Sequence, residues 1–134
     1  MKKLLTLIIL STTTTAQANA TVIKPAPAAI IQKIKHPEKA MEPAEAKAIL
    51  REMQQQSTDQ DKINVLKAKL KDKGVNLDQL LTLLNQFNTD DSKIEAAKFA
   101  FSYVTNYKSF LRVCDIFSRE EYKDALEDFY RKNK

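Results

Sequence analysis

The residues able to do chemistry are few and widely separated along the chain. His36 is the only histidine and Cys114 the only cysteine. A catalytic nucleophile needs a base within hydrogen-bond reach and a third group to orient that base. Zinc needs three or four ligands drawn from His, Cys and carboxylates. One histidine beside Pro37 and one cysteine far downstream supply neither arrangement. Cys114 falls on an apolar helix face between Val113 and Phe117, where it reads as a buried, inert thiol. With no second cysteine it has no internal disulfide partner. Catalysis by carboxylates alone needs a pair set in an apolar surrounding that shifts one of them. Asp115, just before Ile116-Phe117, comes nearest, and it is placed to face solvent or cap the next joint. Asp59, Asp61, Asp90 and Asp91 are oxygen ligands of the kind calcium takes. A calcium loop also needs a turn glycine and a closing bidentate Glu, and neither acidic joint has them. Capping of helix N-termini accounts for the same residues. The expectation is therefore no catalytic residue, no metal and no cofactor, and a protein that is not an enzyme. A hydrolase acting through carboxylates is the catalytic alternative.

The elements that would position these side chains are helical. The chain has one glycine, Gly74, and all four prolines lie at or before position 43. Ala, Leu, Lys, Glu and Gln lose little rotamer freedom in a helix. Three polar joints recur at nearly constant spacing, led by Thr58, Thr89 and Ser118. A Thr or Ser there offers its side-chain oxygen to backbone N–H groups that lack an intrahelical partner, and Ser118 with Glu121 spells a capping box. Ile63, Leu66 and Leu70 line one helical face, and a step of 31 residues brings Ile94, Ala97 and Phe101 into the same phase. Asn76 precedes the apolar set Leu77, Leu80, Leu81, Leu84 and Phe87. A step of 30 gives Asn106 before Tyr107, Phe110, Leu111, Cys114 and Phe117. Gly74 sits where a helix would stop, and Pro43 suits a first turn. These stripes predict an all-α fold of about six short helices, near 43–55, 59–72, 77–87, 90–104, 107–117 and 119–131. The helix pairs repeat at about 30 residues, which fits a short solenoid or an orthogonal bundle.

Three domains of behaviour follow along the sequence. Residues 1–20 read as a cleavable signal peptide: Lys2 and Lys3, the apolar run Leu4–Leu10, then Ala18-Asn19-Ala20 as a small-residue cleavage site. The apolar run is far short of the ~20 residues that span a bilayer. Export to the periplasm or the medium is the expected localisation. Residues 21–41 read as a basic linker with prolines at 25, 27 and 37. Within it Ala28–Lys35 could form a short amphipathic helix presenting Ile30, Ile31 and Ile34. Residues 42–134 form the helical domain.

The formal charge of +5 suggests nucleic acid only until it is located. Residues 42–134 carry 16 basic and 16 acidic side chains, so the excess lies outside the helical domain. Phosphate recognition needs clustered excess charge. Lys67, Lys69, Lys71 and Lys73 alternate along one helix, which spreads them around its axis as a solvated face. Nucleic acid is not an expected partner, and the linker supports at most weak peripheral membrane contact. That contact, or association with another anionic polymer, is the second reading of function.

The motifs taken together resemble a known family. Met41-Glu42-Pro43 leads to Ile49-Leu50, then comes Thr58-Asp59-Gln60-Asp61-Lys62-Ile63, then Asp78-Gln79-Leu80-Leu81. Asp91-Ser92-Lys93-Ile94, Asn106-Tyr107-Lys108 and Asp115-Ile116-Phe117 continue the order. Over about residues 41–131 this is similar to the domain-of-unknown-function 4476 family. The resemblance implies a helical domain, often exported in bacteria, and no assigned activity. The remaining expectation comes from the aromatic density of Phe99, Phe101, Tyr103, Tyr107 and Phe110. A groove rimmed by Tyr hydroxyls would bind another protein or peptide, with Tyr103, Tyr107, Lys108 and Arg112 as its binding residues. The bland alternative is a helix buried on two sides.

Overall fold

The computed structural model describes residues 33–134, and over that span the fold is all-α. The elements are α1 (Pro43–Gln54), α2 (Asp59–Leu70), α3 (Leu77–Leu84), α4 (Asp90–Ala100), a 3-10 turn (Phe101–Tyr103), a long 3-10 helix (Tyr107–Ile116) and α5 (Glu120–Asn133). Among the described residues no helix is long and apolar enough to cross a membrane. The expected signal peptide and the first part of the linker lie outside the described residues. Of the short helix expected at Ala28–Lys35, only residues 33–35 are described, and they are not helical.

Two of the six expected helices take a different form. The stretch predicted as one helix over 90–104 leaves the α-conformation after Ala100 and tightens into a 3-10 turn. The stretch predicted over 107–117 is 3-10 for ten residues, longer than most such helices. At three residues per turn, side chains at i and i+3 stack directly. Tyr107, Phe110, Val113 and Ile116 hold that spacing without a break, with Phe110 and Val113 buried and the outer two half-buried.

Neighbouring elements form two rows. α1 packs on α2, α3 on α4 and the 3-10 helix on α5. Along one row α1 contacts α3 and α3 contacts the 3-10 helix; along the other α2 contacts α4 and α4 contacts α5. The core between them takes Ile63, Leu66 and Leu70 from α2, and Leu77, Leu80, Leu83 and Leu84 from α3. It also takes Phe101, Phe110 and Leu126. α4 contributes only the small residues Ala96, Ala97 and Ala100 to the buried set. Ile94, placed by phase beside Ile63, is half-buried where Ile63 is fully buried.

The joints between hairpins are built by side chains that cross from one joint to the next. Thr58 and Thr89 cap their own helices as the sequence indicates, accepting from Asp61 N–H and Ser92 N–H. Asp59 reaches past its own helix and accepts from the N–H groups of Asn88 (3.0 Å) and Thr89 (3.2 Å). Asp90 does the same one hairpin on, accepting from Ser118 N–H and Ser118 Oγ (3.2 and 3.0 Å). A lysine three residues after each aspartate closes the joint. Lys62 donates to the Gln86 carbonyl at 2.7 Å, and Lys93 lies 3.9 Å from Asp90. The acidic joints are thus occupied by hydrogen bonds, and among the described residues no group of three or more His, Cys, Asp or Glu is disposed to hold a metal.

Three capping expectations are corrected. Ser118 makes no capping box with Glu121: its hydroxyl donates to Asp90, and α5 begins one residue later, with Arg119 as its N-cap. Asn106 does not cap the element it precedes; its Oδ1 accepts from Leu77 N–H at 3.0 Å and so serves the start of α3. Gly74 is not the helix stop. Among the described residues the one positive φ belongs to Asp72, at 63°, and Lys73 N–H turns back to the Leu70 carbonyl. The glycine is there for space. A Cβ at Gly74 would stand 2.0 Å from the Lys39 carbonyl oxygen, closer than any real contact.

Candidate functional site

The close approach at Gly74 comes from residues 33–42, a strap without helix that lies across the ends of the hairpins. Met41 N–H donates to the Gly74 carbonyl (2.7 Å), and Gln79 Nε2 donates to the Met41 carbonyl (3.0 Å). The Met41 side chain is 7% exposed and belongs to the core. Beside it, Val75 N–H donates to the Tyr103 carbonyl and Thr105 N–H to the Val75 carbonyl, the one isolated parallel bridge among the described residues. Further along the strap, His36 anchors the other end. Its Nδ1 lies 3.0 Å from the Val104 carbonyl oxygen, which places the proton on Nδ1. Its ring stacks on Tyr107 at 3.9 Å and meets the edge of Phe101 at 4.9 Å. Burial holds the imidazole below its ordinary value, against the opposing pull of the Val104 and Phe101 carbonyls. His36 is therefore a neutral structural pin.

This arrangement decides where the four residues singled out from sequence fall. Tyr107 is half-buried and committed to His36. Tyr103 packs against Phe99 at 5.4 Å and, with Lys35, His36, Pro37 and Lys73, lines a hollow of about 360 Å³ along the strap. Lys108 is exposed, and its backbone carbonyl accepts from Tyr130 Oη. Arg112 is exposed and lies 3.4 Å from Asp78. The two tyrosines thus gather around the strap, whereas Arg112 points to a different place. The aromatic stretch as a whole is a packed cluster centred on buried Phe101, which meets His36, Tyr107, Phe110, Phe129 and Tyr130 edge-on.

The place that Arg112 borders is a groove of about 390 Å³ between α1 and α3. Pro43, Ala46, Leu50 and Leu83 give it an apolar floor; Lys47 forms one rim, and Asn76, Asp78, Gln79 and Thr82 the other. The groove exists because parallel stripes on neighbouring helices do not fully close. Ala46 is too short to fill the gap, and Leu50 is only half-buried. Much of the polar rim is already engaged. The Asn76 and Gln79 side chains complete a capping box at the start of α3, Thr82 Oγ1 donates to the Asp78 carbonyl, and Asp78 faces Arg112. Sequence reasoning missed this groove, although the Ala46–Leu50 step opposite Leu83 carried its trace.

Cys114 is buried, as its position on the apolar face indicated. Burial pushes its thiol up, and the Glu127 and Asp115 carboxylates add to that. Thiolate chemistry is disfavoured there.

The model of a family described as Domain of unknown function (DUF4476) matches residues 40–130. The chain belongs to that family. No curated protein and no solved structure matches it.

Proposed function

We propose that this DUF4476 domain is an exported, non-catalytic module that binds another protein or peptide through the groove between α1 and α3. The observation that carries the reading is the groove itself. It is a concave apolar floor open to solvent, in a chain whose one histidine is committed to the Val104 carbonyl and whose one cysteine is buried with its thiol pushed up. Ligand sites are concave and mostly apolar, with a few polar groups at the edge, and this groove has that form. Arg112 borders it through Asp78, and Lys108 extends the same row of elements. Tyr103 and Tyr107 support the fold of the neighbouring strap. The Lys2-Lys3, Leu4–Leu10 and Ala18-Asn19-Ala20 sequence supports export.

The test is chemical crosslinking in envelope extract with the wild-type chain and with Thr82→Arg, an exposed substitution that fills the groove. Loss of crosslinked partners with an unchanged melting temperature is the expected result. Retention of every partner refutes the groove. Turnover in a broad hydrolase screen that falls on carboxylate substitution refutes the non-catalytic reading. Mass spectrometry of the chain from envelope fractions should find Thr21 as its first residue; an intact N-terminus refutes export by cleavage.

A further inference from the structure

Resting on that reading, we infer that the occupant of the α1–α3 groove is an acidic peptide segment with aliphatic side chains, supplied by another protein and held by Lys47 and Arg51. In sequence α1 is balanced, with Glu45 and Glu52 against Lys47 and Arg51. In space it is not. Glu45 is paired with Lys73 at 2.8 Å and Glu52 with Lys69 at 2.9 Å, so both carboxylates are drawn to the α2 side and neutralised there. Lys47 and Arg51, one helical turn apart, are both exposed. Among the described residues neither has a carboxylate within salt-bridge distance, and residues 1–32 contain no acidic side chain. On the opposite rim the one acid, Asp78, is balanced by Arg112 at 3.4 Å. The uncompensated charge beside the apolar floor is therefore positive. A partner that buries aliphatic side chains on the half-buried Ala46 and Leu50 gains most if it brings carboxylates to that rim.

The same charge argument separates the possible occupants. The chain's own N-terminal segment carries Lys24, Lys33 and Lys35 and would be repelled. In a second copy, the exposed acids of α5 stand on a helix whose apolar side, Tyr122, Leu126 and Phe129, is turned into its own core, so it offers carboxylates without aliphatic groups. A flat anionic membrane offers charge to the rim cations but no side chains to fill a concave apolar floor.

The experiment uses the full chain and three labelled ten-residue probes, alternating Leu/Glu, Leu/Lys and Ser/Glu. It reads fluorescence anisotropy and the methyl resonances of Leu50 and Leu83. The Leu/Glu probe is expected to bind and shift both methyls. The double charge reversal Lys47→Glu/Arg51→Glu should weaken it roughly tenfold, the scale of inverting two exposed charge contacts. Equal binding of Leu/Lys and Leu/Glu probes, both shifting the methyls, overturns the acidic specificity but keeps the groove. Failure of every probe to shift them overturns both. Binding to phosphatidylglycerol vesicles that the same charge reversal abolishes, with no probe bound, assigns the cations to a membrane and overturns the peptide.

Discussion

Replacing Gly74 by Ala tests how the strap is held, and the sign of the result separates two accounts. Gly74 has no positive φ, so its backbone conformation is open to alanine. If the residue mattered only as a helix stop, Ala would reduce the freedom of the unfolded chain and stabilise by about 0.5 kcal/mol. The structure dictates the opposite. The new Cβ would meet the Lys39 carbonyl oxygen at 2.0 Å and the Lys39 carbonyl carbon at 2.9 Å. Both are backbone atoms, and neither can swing aside as a side chain would. The strap has to lift, and the contacts at stake are the 2.7 Å bond from Met41 N–H to the Gly74 carbonyl and the buried Met41 side chain. One backbone hydrogen bond contributes about 1 kcal/mol and a buried methionine roughly 1.5–3 kcal/mol. Set against the gain in the unfolded state, the expected loss is about 2–4 kcal/mol in urea or thermal unfolding. The strap makes a second prediction in the same assay. In a Met41→Ala background much of the loss has already occurred, so Gly74→Ala should cost markedly less than in the wild type. A Gly74→Ala protein as stable as the wild type, or a cost that is fully additive with Met41→Ala, would refute this account of the glycine.

Four further outcomes follow from named contacts. Asp72→Gly should raise stability by roughly 0.5–1 kcal/mol, because φ of 63° is a left-handed conformation that glycine adopts without its Cβ penalty; a destabilised variant in thermal melts would contradict that. Asp59→Ala strips the partner from two backbone N–H groups of the next joint and should cost roughly 2–3 kcal/mol, whereas Asp61→Ala, at an exposed capping position, should cost well under half as much. For Asp59 itself, burial pushes the carboxyl up, but the N–H groups of Asn88 and Thr89, Ser92 and the charge of Lys62 bring it below its ordinary value overall; its stabilisation is present above the unfolded pKa and is lost as pH falls through the lower folded one, so the Asp59→Ala and wild-type unfolding curves should converge in acid. His36 has the same sign: held below 6.5 in the folded state, it disfavours the folded form as pH drops beneath that value, and a His36→Phe chain should lose this part of the pH dependence while NMR titration of the wild type reads the lowered midpoint.

The helical framework was legible because its signals are local and periodic. Thr58, Thr89 and Asn76 each announce a helix start through their own side chain, and the Leu spacing of α2 and α3 fixes the buried face. What the sequence obscured was every interaction in which a residue serves an element other than its own. Ser118 and Asn106 have the composition of caps, yet their polar atoms are spent on Asp90 and Leu77 N–H some 28 or 29 positions away. Tyr107, Phe110, Val113 and Ile116 recur at intervals of three, but intervals of three also occur along an α-helix, so the 3-10 form is visible only once the neighbours are in place. Gly74 invited the conformational explanation because glycine so often ends helices. The steric one requires Lys39, which no periodicity connects to it.

The candidate site was hidden by the same limitation, and its location follows from where charges end up once helices pack. Aromatic density drew attention to Tyr103 and Tyr107, but density measures what a segment carries and not what it faces. Facing His36, Phe99 and Phe101, those rings complete a core and a strap. The groove is marked by the reverse condition, apolar residues that nothing faces. Ala46 and Leu50 lie on an amphipathic helix whose charged residues balance on paper. Only the pairing of Glu45 with Lys73 and of Glu52 with Lys69 leaves Lys47 and Arg51 to set the potential over that floor. If Lys69→Ala and Lys73→Ala freed both glutamates to fold back toward the groove, the rim would approach neutrality and an acidic probe should weaken, although neither lysine touches the groove. An unchanged affinity would mean that the α1 carboxylates do not govern the charge of the site.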